Sequence, residues 1–525
     1  MRIRFLPLLA AILSLHNIGA AQTQPRQVSG GLVIVYRNST IPDNMDETLA
    51  RLGLHGQKHL HHLGITTVRS DSSVEDLTIT RLLSLPQVAS VLHDHYVTGH
   101  TLLVHPVQPI QVPVADGQPA SQVTSVTLPD PVTFPVRHGD PSSLYGSADS
   151  FYNSPQNWAV LQSGGFGDNI PGGPSTGAWN ITKGAGIRIA ILDSGIDANH
   201  PDLISGLAFN LSEVDQAALP SPCDDGSPQD QQGHGTFAAS LAAAAVGGGN
   251  TIGVAPQATL INIKVLQRMA AVGGANLTAQ CEAGEPGGLL SWVLQGIDDA
   301  VAQHASVISL SLGTLVDIST GEGAGWQAAF NQATYAAAQS GAVIVAALGN
   351  DGLDLSSGTF VELPAQSRSV LPVVASTNPA CVENVTPNAT CAAGLVTRAF
   401  YSNFGVPGAL AAPGGSVPNG PGAGVSGYIR GACSSGLPNT ADGLPLNGGG
   451  QANQSFGCFG LGHTQYVQSI GTSASAALVA GAAAILRASH PNWSSSQIVS
   501  ALLNSAIPST VTGPRLNLPA ALAEQ

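Results

Sequence analysis

From about Trp158 to the C-terminus, short apolar runs alternate with longer small-residue stretches of helical length. Residues 187–192, 259–265, 307–312, 342–347 and 370–374 are mostly aliphatic and β-branched, the pattern of strands buried on both faces of a parallel sheet. Residues 237–245, 290–303, 326–339, 475–489 and 496–504 read as helices. This alternation predicts an α/β unit, doubly wound around a mainly parallel sheet. A smaller α+β unit precedes it. Its strands are expected at 31–36, 64–68 and 88–92, with helices at 45–52 and 74–85 between them, a βαβαβ order.

Punctuation sets the boundaries. Arg2 and Arg4 precede an apolar run from Phe5 to Leu15, and Gly19, Ala20 and Ala21 follow. This reads as a secretory signal over 1–21, too short for a membrane span. Residues 101–157 are rich in Pro, Val, Gln and Ser without a helical period, and read as a linker that wraps the larger unit. The expected division is therefore 1–21, 22–100, 101–157 and 158–525.

Composition narrows the partners. The formal charge is −14 with no cluster of Lys and Arg, which argues against nucleic acid. No second stretch is long and apolar enough to cross a bilayer. Six cysteines in an exported chain point to disulfides, with 15 connectivities open. Proximity favours Cys381–Cys391 and Cys433–Cys458, leaving Cys223–Cys281. No Cys-x-x-Cys pair supports zinc. His93, His95 and His100 stand two and five residues apart, a spacing that does not converge on a metal; a solvated strand edge is expected. Glycine- and proline-rich insertions near 267–288 and 414–468 read as loops rimming a cleft.

Three stretches carry candidate chemistry. The run 187–192 ends in Asp193-Ser194-Gly195, a carboxylate at the C-terminal edge of a strand, where open α/β sheets hold their sites. Gly233-His234-Gly235-Thr236 opens a helix. Gly471-Thr472-Ser473-Ala474-Ser475 opens another, so Ser473 lies among the unpaired N–H donors of a helix N-terminus. Singly, these could be a turn aspartate, a capping histidine and a capping serine. Together they give the order Asp, His, Ser, one of the orders known for a catalytic triad.

At these residues the chain resembles the subtilisin-like serine peptidases. Asp193-Ser194-Gly195-Ile196-Asp197, followed by His200-Pro201-Asp202-Leu203, is similar to the aspartate motif of that family. Gly233-His234-Gly235-Thr236 and Gly471-Thr472-Ser473 resemble its histidine and serine motifs. Ser309 to Gly313 and Ala346-Ala347-Leu348-Gly349-Asn350 resemble its substrate-binding strand and its oxyanion asparagine. Five motifs in order make a chance match very improbable. The serine motif departs from the family in having Ala474, Ala477 and Leu478 where Met, Pro and His are usual, all packing positions on the helix.

The resemblance implies Ser473 as nucleophile, His234 as base, Asp193 as its orienting carboxylate and Asn350 as oxyanion donor. It implies that Ser311, Leu312 and Gly313 bind an extended peptide and that Gly349 leaves room beside the residue before the scissile bond. That pocket is expected to be apolar, without an acidic residue. Asp202 resembles a calcium-ligating aspartate of the family, although a capping role is the plainer reading; no cofactor is expected for catalysis itself. Residues 22–100 resemble an inhibitor-type propeptide, removed by a cut within 101–157. The expected partners are protein or peptide substrates and the chain's own propeptide, on a secreted monomer. The rivals are a catalytically silent scaffold, which the complete set of four residues disfavours, and an esterase, which would need a Gly-x-Ser-x-Gly elbow.

Overall fold

The computed structural model describes residues 27–71, 73–99, 158–164, 178–377, 396–415, 429–435, 459–461 and 464–524. The expected signal peptide, the linker, the Cys381–Cys391 pair and most of the 414–468 insertion lie outside these residues.

The larger unit is built on a twisted sheet in the order Leu207–Ser212, Thr259–Lys264, Arg188–Asp193, Val307–Leu310, Val343–Ala347, Val370–Thr377 and Leu410–Pro413, all parallel. A short antiparallel strand, Thr397–Arg398, joins the end of Val370–Thr377. Alternation along each strand explains the apolar runs. Ile189, Ile191, Val307, Val343 and Val345 face one core, with helices His234–Ala243 and Thr472–Ser489. Ala190, Leu192, Ile308, Leu310, Ile344 and Ala346 face the other, with helices Leu290–Ala302 and Gly321–Gln339. Both faces are covered, as a parallel sheet requires. Leu207–Ser212 and Leu410–Pro413 escaped the sequence reading because both are edge strands, the first with no fully buried residue and the second only four residues long.

The run expected as one strand over 307–312 divides. Val307–Leu310 belongs to the parallel sheet, whereas Leu312–Asp317 belongs to a second, antiparallel sheet. The chain changes sheets at Ser311.

The N-terminal unit has four strands, not three: Gln27–Tyr36, His55–Leu60, Ile65–Arg69 and Val88–Gly99, all antiparallel. The extra strand, His-Gly-Gln-Lys-His-Leu, has too little apolar alternation to be recognised from its sequence. One face of this sheet packs on its own helices Met45–Arg51 and Glu75–Leu83 through Leu32, Ile34, Tyr36, Leu49, Val68 and Leu82. The other face shares the core of the larger unit through Val33, Val35, Ile65, Leu92 and Val97.

His93 and His95 are not on a solvated edge, contrary to expectation. Their strand lies inside the antiparallel sheet, and both half-buried rings face Glu322 at the start of helix Gly321–Gln339, at 3.5 and 3.7 Å. The strand end continues into the larger unit. There it pairs on one side with Leu312–Asp317 and on the other with Pro286–Leu289.

Candidate active site

Each side chain of the site stands where one element ends or begins. Asp193 closes strand Arg188–Asp193 and is fully buried. Its Oδ1 accepts the Ser194 N–H at 2.7 Å and lies 2.6 Å from His234 Nδ1. A carboxylate only accepts, so Nδ1 carries the proton and Nε2 is the basic nitrogen. His234 is the first residue of helix His234–Ala243 and is likewise buried. Gly235 lets that helix approach the aspartate turn, since a Cβ there would lie 2.1 Å from the Gly195 carbonyl oxygen.

Ser473 lies in the first turn of helix Thr472–Ser489. Its hydroxyl donates to the Ser311 carbonyl at 3.1 Å, and the Ser311 hydroxyl donates back to the Ser473 carbonyl at 3.1 Å. The serine is thereby fastened to the point where the chain changes sheets. The helices bearing Ser473 and His234 pack closely, Gly481 lying against Ala242. Asn350 Oδ1 accepts from both the N–H and the hydroxyl of Thr472, each at 2.9 Å. Those bonds fix the amide and turn its NH2 end away from Thr472. Gly349, at φ +100°, donates its N–H to the Thr472 hydroxyl at 3.3 Å. Asp193, His234, Ser311, Gly349, Asn350 and Ser473 thus gather at the carboxyl edge of the parallel sheet.

Leu312 and Gly313 form one side of a cleft and Pro286–Leu289 the other. The strand Val88–Gly99 fills it, with Gly99 opposite Leu312, Thr98 opposite Gly313 and Gly287, and Val97 opposite Gly288. An acidic side chain lies close behind Gly349. Glu362 is buried on strand Phe360–Leu363, and its Oε2 lies 3.3 Å from where a Cβ of Gly349 would stand. Twelve residues separate Glu362 from Asn350, and only the pairing of its strand with Leu312–Asp317 brings it here. Local sequence offers no signal for that.

Two further features escaped the sequence reading. Buried Asp230 accepts from the Ser194 hydroxyl (3.0 Å), the N–H groups of Gln232, Gly233 and Thr236 (2.8–3.0 Å), and the Thr236 hydroxyl (2.5 Å). One carboxylate thus grips the residue after Asp193 and the backbone on both sides of His234. Burial pushes its pKa up, while these donors pull the other way. Its position four residues before the histidine, ahead of a helix start, was the available sign. The second feature is in the 414–468 insertion, whose segment 429–435 braces the back of the site instead of rimming the cleft. Ser434 donates to the Asp230 carbonyl, Ser435 donates through N–H (2.9 Å) and hydroxyl (2.6 Å) to Asp197, and the Ala432 N–H donates to Ser240. Cys433 there is disulfide-bonded. The Cys223–Cys281 bridge is present as expected, with Cα atoms 5.3 Å apart.

Asp202 is completely buried. Its backbone N–H donates to His200 Nδ1 at 3.2 Å, and the Tyr466 phenol, whose pKa is pushed up by burial and by the Asp202 charge, stands beside it. The glycine-rich turn at 247–249 closes over it. A Cβ at Gly249 would fall 2.5 Å from Asp202 Oδ1 and 2.7 Å from the phenol oxygen. This oxygen-lined cradle, kept open by a glycine, fits a hard cation. Among the described residues no group of three or more His, Cys, Asp or Glu side chains is placed to hold a metal ion.

Comparison with known proteins follows the same outline. The family described as the subtilase family, Peptidase_S8, matches residues 184–521. Thermitase of Thermoactinomyces vulgaris is 38% identical over 176 residues, 33% of this chain and 51% of that protein. Subtilisin E of Bacillus subtilis is 28% identical over 363 residues, 68% of this chain and 69% of that protein. The chain spans about half the length of the first curated relatives it matches. Among solved structures, the epidermin leader peptide processing serine protease of Staphylococcus aureus has a similar fold, with a TM-score of 0.60 at 17% identity, over 94% of this chain and 98% of that one.

Proposed function

This chain belongs to the subtilase family, and on that premise we propose that it is a secreted serine endopeptidase that cleaves proteins and is made as a self-inhibited precursor. The observation that carries the proposal is the 2.6 Å contact between Asp193 and His234 Nδ1, beside a serine held at the edge of a peptide-binding strand.

The chemistry follows from those positions. A serine hydroxyl is hardly ionised near neutral pH, so Ser473 needs His234 Nε2 to take its proton as it attacks the substrate carbonyl. Asp193 keeps the ring in the tautomer that leaves Nε2 basic and stabilises the imidazolium that forms. Negative charge then grows on the carbonyl oxygen. The Asn350 NH2 and the Ser473 N–H, at a helix N-terminus, are the donors for it. His234 returns the proton to the departing amine, and water repeats the sequence on the acyl-enzyme. Ser311, Leu312 and Gly313 hold the substrate as an added strand, so recognition is largely through the backbone.

Residues 22–100 act as the chain's own inhibitor. Support comes from Val88–Gly99, which occupies the position of a substrate strand in the cleft. Export is supported by the basic and apolar start of the chain and by the Cys223–Cys281 bridge, which suits an oxidising compartment. The proposed form is a monomer, to be checked by light scattering. A structural calcium ion is proposed at Asp202, with oxygens of the 247–252 turn completing its shell. Chelation should lower the unfolding temperature, and an unchanged temperature removes the ion from the proposal.

Treatment of the matured protein with a serine-reactive phosphonate tests the activity. Labelling at Ser473 together with loss of casein hydrolysis is the expected result. An unlabelled, inactive protein would mean a silent scaffold, and hydrolysis of esters but not peptides would mean an esterase.

A further inference from the structure

The contact between the two units is charged in one direction. Among the described residues, every ion pair that joins them has its cationic partner on the N-terminal unit and its carboxylate on the larger one. Lys58 reaches Glu213 at 2.5 Å and Asp299 at 3.3 Å. Arg69 reaches Asp215 at 2.9 Å, His62 lies 3.2 Å from Asp298, and His93 and His95 meet Glu322. The carboxylates come from three parts of the chain: just after strand Leu207–Ser212, the far end of helix Leu290–Ala302, and the start of helix Gly321–Gln339.

What they surround is apolar. Trp292 and Trp326 are buried in one cluster with Val33, Val35, Leu92 and Val97 of the N-terminal unit. Gly325 leaves room for Leu92, since a Cβ there would lie 2.4 Å from Leu92 Cδ2. The contact takes one whole side of each helix, because its residues recur at helical spacing. On the first helix Ser291 meets Asp94, Gln295 meets Thr67 and Asp298 meets His62. On the second, Glu322 is followed by Trp326, which donates to the His93 carbonyl, and by Gln332, which donates to the Leu63 carbonyl. The face is also continuous with the cleft. Strand Val88–Gly99 crosses it over Glu322 before it enters between Leu312–Asp317 and Pro286–Leu289.

Once the N-terminal unit has left, this side of the enzyme is two tryptophans ringed by carboxylates without their cations. Soluble monomers rarely leave such an apolar patch open unless something binds it. A second copy of the chain does not suit it, because a two-fold contact would set each ring of carboxylates against its own image. We propose that in the matured enzyme this face docks protein substrates rich in Lys, Arg and His and feeds them into the cleft. The proposal rests on the serine peptidase reading above and adds a substrate class to it. The two surfaces divide the work: the cleft holds backbone, whereas the acidic face selects which proteins reach it and speeds their arrival by opposite charge.

The test gives the matured enzyme two substrates at low salt: unfolded histone, which is strongly basic, and an uncharged tetrapeptide anilide too short to leave the cleft. Asp298→Asn, Asp299→Asn and Glu322→Gln are combined in one variant. It should cut histone with kcat/KM lowered ~10-fold, chiefly through KM, while the anilide stays within about twofold and reports that the variant is folded. The difference should close at roughly 1 M salt, where charges are screened beyond about 3 Å. Equal loss on both substrates, or loss on neither, overturns the docking face and leaves the peptidase reading intact. A wild type that cuts neither overturns that reading, and the docking proposal with it.

The variant precursor lacks pairs that hold its own N-terminal unit, so a second measurement uses no substitution on the face. Fluorescent histone and fluorescent casein, an acidic protein, are titrated onto the phosphonate-blocked matured enzyme and onto the Ser473→Ala precursor, in which the face is covered. Histone should bind the matured form ~10-fold tighter than the precursor, with no such gain for casein. An equal gain for casein, which shares the cleft but not the charge, overturns the proposal. So does the absence of any gain for histone, or a matured enzyme that light scattering shows to be a dimer closed over this face.

Discussion

Asp94 gives the sharpest quantitative test of how the N-terminal unit is held. Helix Leu290–Ala302 begins without a side-chain cap from its own preceding residue, Leu289. Asp94 supplies one from the other unit, accepting from the Ser291 N–H at 3.1 Å and from the Ser291 hydroxyl. The carboxyl is buried, and burial, only partly offset by the Ser291 and His95 donors, pushes its pKa from 3.8 to about 6. A shift of two units corresponds to roughly 3 kcal/mol against the ionised form. The folded pKa is raised, so the assembled state binds the proton more tightly than the separated one. The stabilisation is complete below about pH 4 and is lost as pH rises through about 6. Glu213, half of a pair with Lys58 across the same contact, is raised to about 7 by burial and by Asp299 and acts in the same sense. Glu322 is lowered, since bonds from His95 and the His93 N–H outweigh its burial, so its contribution is lost only as pH falls through the carboxylate range.

The assay is urea unfolding of a Ser473→Ala precursor between pH 4.5 and 8, followed by tryptophan fluorescence. Trp292 and Trp326 pack on the N-terminal unit, and the Trp326 ring N–H donates to the His93 carbonyl at 3.2 Å. Adding Asp94→Asn keeps an acceptor for Ser291 but removes the charge. Asn caps a helix about as well as Asp, so at pH 8 the change removes roughly 3 kcal/mol of burial penalty without giving up the cap. The variant should therefore be about 3 kcal/mol more stable at pH 8, and that advantage should fall to about 1 kcal/mol at pH 4.5. A stability difference that stays flat across this range would refute the reasoning, because only a buried, ionising Asp94 produces the slope.

Three other outcomes are expected. Asn350→Ala should lower kcat by about 100- to 1,000-fold with little change in KM, as loss of one oxyanion donor does; the magnitude is imported from a subtilisin. Gly235→Ala should lower stability by about 1–3 kcal/mol, because the new methyl meets the Gly195 carbonyl oxygen; thermal unfolding of the Ser473→Ala background measures it. Cys223→Ser paired with Cys281→Ser opens a loop with a sequence separation of 58, and should cost about 4 kcal/mol by chain entropy, read as the difference in denaturant midpoints.

What the sequence disclosed and what it hid differ in a physical way. Asp193, His234 and Ser473 were legible because each sits at a backbone junction with its own local demand: a strand end, a helix that Gly235 lets approach, and a turn opening a small-residue helix. The parallel strands were legible because burial on both faces leaves an unbroken apolar run. Glu362 was not, because its place beside Gly349 is set by the pairing of Leu315 with Glu362 across two strands, a relation with no local trace. The strand His55–Leu60 was hidden by polar residues whose partners are distant in sequence or off the strand, Lys58 with Glu213 and Asp299 and His59 with Thr66 and Asp46. Ser434 and Ser435 were hidden in a stretch whose composition is that of a loop, although their partners are Asp230 and Asp197 behind Asp193 and His234. The split of 307–312 at Ser311 shows the same limit most directly. An apolar run tells that a strand is buried but not in which sheet, and here the change of sheet is what brings the edge at Leu312–Asp317 to the serine.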